Sequence, residues 1–159
     1  MFKGLVSAAL LLACSATAFA TQISGVTASG FDEKNGHKPE FMLDGNAKTR
    51  WAVSGKGNWA VFQLADETEI HNIVLHTFKP AERRLKFDLL VSQDNQTWVT
   101  LAQGVQTSTA SLKGEKFVVK PVKARWVKLQ VHGTDINSWS SLHQVAVNSD
   151  EVLPETALN

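Results

Sequence analysis

From residue 59 to residue 147 the chain is a succession of short runs in which apolar and polar residues alternate, with polar turns between them. A period of two places successive side chains on opposite faces of a strand, and no segment carries the 3.6-residue period of an amphipathic helix. The clearest run sets Leu85, Phe87, Leu89 and Val91 against Lys86, Asp88 and Ser92, with Leu90 as the exception. In residues 124–131 Val127, Leu129 and Val131 face one way, and Lys128, Gln130 and His132 the other. Residues 59–64 put Trp59, Val61 and Gln63 opposite Ala60, Phe62 and Leu64. Further strands are expected near residues 23–28, 70–78, 98–101, 117–119 and 142–147. Residues 93–96 form a turn in which Asn95 can take the left-handed backbone that glycine would otherwise supply. About eight short strands without helices make an all-β, antiparallel sandwich or barrel.

The first twenty residues carry one charge, Lys3, then an apolar run, then Ala18-Phe19-Ala20. That pattern is expected to be a secretory signal cut after Ala20, too short and too lightly flanked to span a membrane. Leu11-Leu12-Ala13-Cys14 resembles a bacterial lipobox, the alternative, which would leave a lipid-bearing Cys14 at the mature N-terminus. The single cysteine is Cys14, so residues 21–147, the expected folded domain, form no internal disulfide and depend on a hydrophobic core. The whole chain has 16 basic and 15 acidic residues, which removal of Lys3 makes equal. General attraction to nucleic acid or to an anionic membrane is therefore not indicated, and any polyanion would have to be held locally. Residues 148–159 are polar and acidic, contain Pro154, and are expected to fray.

Residues 39–51 combine Phe41, Met42, Leu43 and Trp51 with an Asp44-Gly45 turn and the oxygen-bearing side chains of Asp44, Asn46 and Thr49. Such a loop can wrap a hard cation such as calcium, or can simply be a turn capped by its own side chains. Catalytic signatures are missing: there is no Gly-x-Ser-x-Gly elbow, no His-Glu-x-x-His, no phosphate-cradling glycine loop and no thiol after residue 20. Asp66, Glu67 and Glu69 are close in sequence but precede a strand, where solvated carboxylates are common. His71, His76 and His143 have no zinc-type spacing.

Five ordered pieces carry a family resemblance. They are Leu43 to Asn46 with Thr49-Arg50-Trp51, residues 59–64, residues 87–92 with 94–98, residues 124–129, and residues 137–147. In that order they resemble the discoidin, or coagulation factor type C, domains, and more narrowly a bacterial family 32 carbohydrate-binding module. The resemblance implies an eight-stranded jelly-roll sandwich of the galactose-binding type, a structural calcium ion, and sugar binding in loops at one end. It puts the calcium shell on Asp44, Asn46 and Thr49, with a further ligand from the last strand. The family usually has glutamate there and this chain has Gln144, whose amide lacks the formal charge.

A sugar site needs an aromatic face for the pyranose ring and donors for hydroxyls or carboxylates. Two loops offer these. One holds Phe78, Lys79, Arg83 and Arg84, and the other holds Asn137 and Trp139, with His132 at its start. Phe78 and Trp139 could equally pack as core and end-cap. Relatives attached to alginate-degrading enzymes share the lysine-to-arginine loop and a pair like His132-Gly133, and arginine grips a carboxylate with paired hydrogen bonds. A non-catalytic module for an acidic, alginate-like polysaccharide is the expectation, with a separate polysaccharide-degrading enzyme as a conceivable partner. A neutral galactoside module and a protein-binding adhesion domain are the alternatives.

Overall fold

A computed structural model describes residues 20–109 and 113–150. The expected leader as far as residue 19, Cys14 included, and the tail from residue 151 lie outside the described residues. Seven strands follow in chain order: β1 Ile23–Ala28, β2 Trp51–Ser54, β3 Asn58–Thr77, β4 Leu85–Ser92, β5 Val99–Gln106, β6 Glu115–Thr134 and β7 Trp139–Val147. A 3-10 turn, Pro39–Leu43, precedes β2.

All pairings are antiparallel, in the order β2-β7-β3-β6-β4-β5, with β1 on β3. β3 and β6 are each 20 residues long and run through both layers. Their pairing shifts register between Gln63 and Thr68, where the ribbon bends over. The first half of β3 pairs β1, its second half pairs β7, and the core lies between the two layers so formed. This makes an antiparallel jelly-roll-like sandwich of the expected class, with seven strands among the described residues. The expected runs 59–64 and 70–78 fall on one continuous strand that ends at Thr77, and 117–119 and 124–131 on another, while the short β2 was not expected. Residues 66–69 are polar and look like a turn, yet their backbone stays extended around the bend.

The faces fall as the alternation requires. Ala60, Phe62 and Leu64 are fully buried, as are Leu85, Phe87, Leu89 and Val91 from β4 and Val127, Leu129 and Val131 from β6 to within a few per cent. Each such aliphatic or aromatic side chain contributes roughly 1.5–3 kcal/mol of burial. Trp51 is fully buried, and its indole N–H donates to the Gly30 carbonyl at 2.9 Å, fixing the preceding turn to β2. Asn95 has φ +60, the left-handed conformation expected of it.

Because β3 bends back, both of its ends reach the same end of the sandwich: Asn58 pairs with Val131 and Thr77 with Leu142. Backbone hydrogen bonds tie the loops there together, from Gly55 to Ser138, Phe78 to Ser141, Asp135 to Arg84, and Asp32 to Ala52.

Candidate functional site

Segments 32–35, 78–83 and 137–141, together with Arg50 at the entrance to β2, enclose a cleft of about 250 Å³ at that end. Phe78, the first residue past β3, forms its floor. The Arg50 guanidinium carbon lies 4.0 Å from the Phe78 ring centroid, that of Arg83 at 5.3 Å, and the Lys79 ammonium at 5.4 Å. A ring face attracts cations through its quadrupole, and here it gathers three. The loop is held to this shape by Glu82 and Arg83 N–H groups donating to the Lys79 carbonyl, with Lys79 itself at φ +49, uncommon for a residue with a side chain.

The positive charges are poorly compensated. Among the described residues Glu82 is the only acidic partner in an ion pair with this group, at 3.8 Å from Lys79 and 3.9 Å from Arg83, and it is itself largely exposed. Arg50 forms no ion pair among the described residues, and the Nε atoms of Arg50 and Arg83 are buried without a hydrogen-bond partner. Burial pushes the Arg50 pKa down, the Arg83 charge adds to this, and Asp32 opposes it. A guanidinium fork has the geometry to donate paired hydrogen bonds to a carboxylate.

On the opposite wall Asp32 accepts from the Asn35 side chain at 2.7 Å, a bond that holds its carboxyl below the ordinary range. It remains an acceptor able to meet sugar hydroxyls. Trp139 is 39% exposed at the cleft mouth. Its backbone N–H donates to Asn137 Oδ1 at 3.0 Å, and the Asn137 amide nitrogen has no hydrogen bond among the described residues. Gly133 permits this loop to fold back: a Cβ there would meet the Asn137 carbonyl oxygen at 2.7 Å.

Phe78, Arg83, Asn137 and Trp139 thus share one cleft, and Lys79 stands at its rim. Two expected ligand residues are placed elsewhere. Arg84 turns its guanidinium back onto the Pro80 carbonyl at 2.6 Å and braces its own loop. His132 sits behind the 134–138 loop, its Nε2 at 2.9 Å from Asp88. Burial pushes the Asp88 carboxyl up, but the Gly104 N–H and the His132 ring outweigh it and bring it below the ordinary range. Asp32, Asn35 and Arg50 were missed. The polar loop holding the first two has no distinguishing sequence signal. Arg50 lies within the Thr49-Arg50-Trp51 piece, but only the tertiary fold sets it over Phe78.

Asp44, Asn46, Thr49 and Gln144 also come together, on the side of the sandwich. The Thr49 hydroxyl donates to Asp44 Oδ2, and Asp44 Oδ1 accepts from the Asn46 N–H and from Gln144 Nε2, both at 2.9 Å. Gln144 Nε2 also donates to the Phe41 carbonyl at 3.1 Å. Asn46 Oδ1 accepts from Lys48 N, and the Thr49 carbonyl from His143 Nδ1 at 2.7 Å. No group of three or more His, Cys, Asp or Glu side chains suited to a metal occurs among the described residues.

Against known proteins, the F5/8 type C domain model matches residues 25–145. No curated protein matches the chain. Among solved structures, a pectin-binding carbohydrate-binding module is 46% identical, with 84% of this chain and 96% of that one covered at a TM-score of 0.79. The family 32 carbohydrate-binding module of AlyQ, solved with 4,5-unsaturated mannuronic acid, is 25% identical over 81% of this chain and 97% of its own, at a TM-score of 0.75. A Clostridium perfringens family 32 module, solved with GalNAc-β-1,3-galactose, is 20% identical over 79% and 94% of the two chains, with a TM-score of 0.67, and so shares the fold. With the family model spanning most of the sequence and two similar modules covered nearly end to end, this chain belongs to the F5/8 type C domain family, beside its family 32 carbohydrate-binding modules.

Proposed function

We propose that the chain is an exported, non-catalytic module that binds an acidic polysaccharide, with a uronate seated in the Phe78 cleft. The observation that carries this reading is the pair of guanidiniums, Arg50 and Arg83, gathered over one phenyl ring with buried nitrogens that have no partner. A sugar carboxylate supplies the missing charge and accepts paired hydrogen bonds from a guanidinium fork. The exposed Trp139 ring offers a face for the pyranose, and Asp32 and the Asn137 amide take hydroxyls. A neutral galactoside would satisfy Trp139, Asp32 and Asn137 while leaving Arg50 without an ion pair and Arg83 with only its long contact to Glu82. The similar modules point the same way: one binds pectin, a uronate-rich polymer, and the other was solved with a mannuronic acid.

Affinity for one sugar unit should be modest, because partly exposed charge pairs are worth about 1 kcal/mol or less, and it should fall as salt rises. Calorimetric titration with galacturonate and mannuronate oligomers, beside neutral galactans, tests the reading. Uronate binding that weakens with salt is expected. Equal binding of neutral galactans, indifferent to salt, would transfer the site to the neutral-sugar class.

Export is part of the same proposal, with cleavage after Ala20. Mass spectrometry of the native protein decides it: a chain beginning at residue 21 is expected, and a lipid-bearing Cys14 would place the domain on a membrane surface instead.

A further inference from the structure

Beyond the wall formed by residues 134–138 lies a second, larger hollow of about 550 Å³, lined by Lys56, Lys86 and His132 and sharing Asn137 with the Phe78 cleft. We propose that this groove is a second subsite, holding further carboxylates of the same polyuronate chain whose first residue sits over Phe78. The inference rests on the uronate reading of the cleft.

Lys56 is exposed at the tip of the turn between β2 and β3, between Gly55 at φ +105 and Gly57 at φ +81. The tip is not loose, since Gly55 N–H donates to the Ser138 carbonyl and Gly57 N–H to that of Val131, both at 3.0 Å. Lys86 is exposed at the start of β4, and among the described residues neither lysine forms an ion pair. Of the acidic groups nearby, Asp88 accepts from His132 and from the Gly104 N–H, while Asp135, which also lines the hollow, accepts from the neutral Arg84 N–H and is outnumbered by the two lysines. The groove therefore offers two unpaired ammonium groups next to a cleft already short of negative charge. A polymer with a carboxylate on every residue can reach cations in both hollows, whereas a single sugar acid fills only the cleft. Ammonium groups on flexible stems tolerate varied carboxylate positions, as suits a flanking subsite.

The test compares di- and hexagalacturonate on the intact domain. A Lys56→Ala, Lys86→Ala double variant is expected to bind the dimer within twofold of wild type and to lose about five- to tenfold on the hexamer, since linked contacts add along one chain. Unchanged hexamer affinity overturns the second subsite. An Arg50→Ala, Arg83→Ala variant separates the two ideas, because it should lose dimer and hexamer alike. If it keeps dimer binding, the cleft reading fails, whatever the lysines do.

A different observation carries a second inference. Every side-chain oxygen that the calcium shell would draw from Asp44, Asn46 and Thr49 is already engaged within the loop, and Gln144 faces Asp44 and the Phe41 carbonyl with its amide nitrogen. With acceptors at both contacts, only the NH2 end of the amide satisfies them. The donor set as built does not fit a cation. We infer that the Gln144 amide holds this turn together without calcium, donating where a metal would accept lone pairs. Wild-type melting temperature should then agree within about a degree in millimolar calcium and in EDTA, whereas a metal bound only by the folded state would raise it. Gln144→Glu sets two carboxylates face to face, so it should melt lower in EDTA and recover with calcium. A wild-type rise of several degrees with calcium overturns the inference, and that measurement stands even if the variant fails to fold.

Discussion

The Arg50 guanidinium stacks 4.0 Å above the ring of Phe78, joining the turn before β2 to the loop after β3 across the mouth of the cleft. A guanidinium can lie against a ring and still present its terminal nitrogens as a paired donor, which a lysine ammonium cannot do. Arg50→Lys therefore keeps the charge and loses the fork. It is expected to weaken uronate binding by about three- to fivefold, less than 1 kcal/mol, with the melting temperature little changed. Titration calorimetry beside a thermal melt reads both, and wild-type affinity in the lysine variant would contradict the paired-hydrogen-bond geometry.

Phe78→Ala removes the surface that orders all three cations. Uronate affinity should drop by at least as much as in Arg50→Lys, and the salt dependence should steepen, because the cations then act as solvated point charges. An Arg84→Ala variant, by contrast, loses a loop brace, so its effect should appear in stability before affinity.

Two histidines make the fold acid-sensitive. His76 is 5% exposed, and its ring lies 5.1 Å from that of His143. Burial, with a smaller contribution from His143, lowers the His76 pKa from 6.5 to about 4. The His143 pKa is also lowered, mainly by burial and further by Arg50, although its bond to the Thr49 carbonyl and the Asp44 charge oppose this. A depressed histidine pKa means that the unfolded chain takes up the proton first. Stability should be full above about pH 6.5 and decline as the pH falls toward 4, by up to roughly 3 kcal/mol for His76. Urea unfolding across that range measures it, and a flat profile between pH 7 and 5 would contradict the buried neutral pair.

Gly133→Ala should cost about 1–3 kcal/mol, because the added methyl meets the Asn137 oxygen at 2.7 Å and the backbone has φ +79. Gly25→Ala meets nothing within 4 Å and should stay within about 0.5 kcal/mol of wild type. Since Gly133 closes the 134–138 wall, the first variant should also lose ligand affinity. A chemical denaturation series gives the two stabilities side by side.

The faces of β3, β4 and β6 were legible because a two-residue period allows only one assignment once one face is buried. The left-handed Asn95 could be read for a similarly local reason, since few residue types tolerate that backbone. The continuity of β3 through Asp66, Glu67 and Glu69 was not, because polar residues on an exposed bend resemble a turn, and only the pairing of Thr68 with Ala124 shows that the ladder resumes. In the site, Phe78, Arg83 and Trp139 could be picked out as aromatic and cationic residues in loops. Arg50 and Asp32 could not, since they reach the cleft through Trp51 burial and the Asp32–Ala52 hydrogen bond, contacts between distant parts of the chain. His132 and Arg84 have the right chemistry, but their partners Asp88 and Pro80 direct them away.

The central claim is that Arg50 and Arg83 form the carboxylate site. Its most direct measurement is the affinity of wild type and of the Arg50→Ala, Arg83→Ala variant for polygalacturonate and for a neutral galactan at low salt, with folding checked by circular dichroism. Wild type should bind the uronate polymer, the folded double variant should lose at least tenfold, and neither should bind the galactan appreciably. A folded double variant that keeps wild-type affinity for polygalacturonate would contradict it.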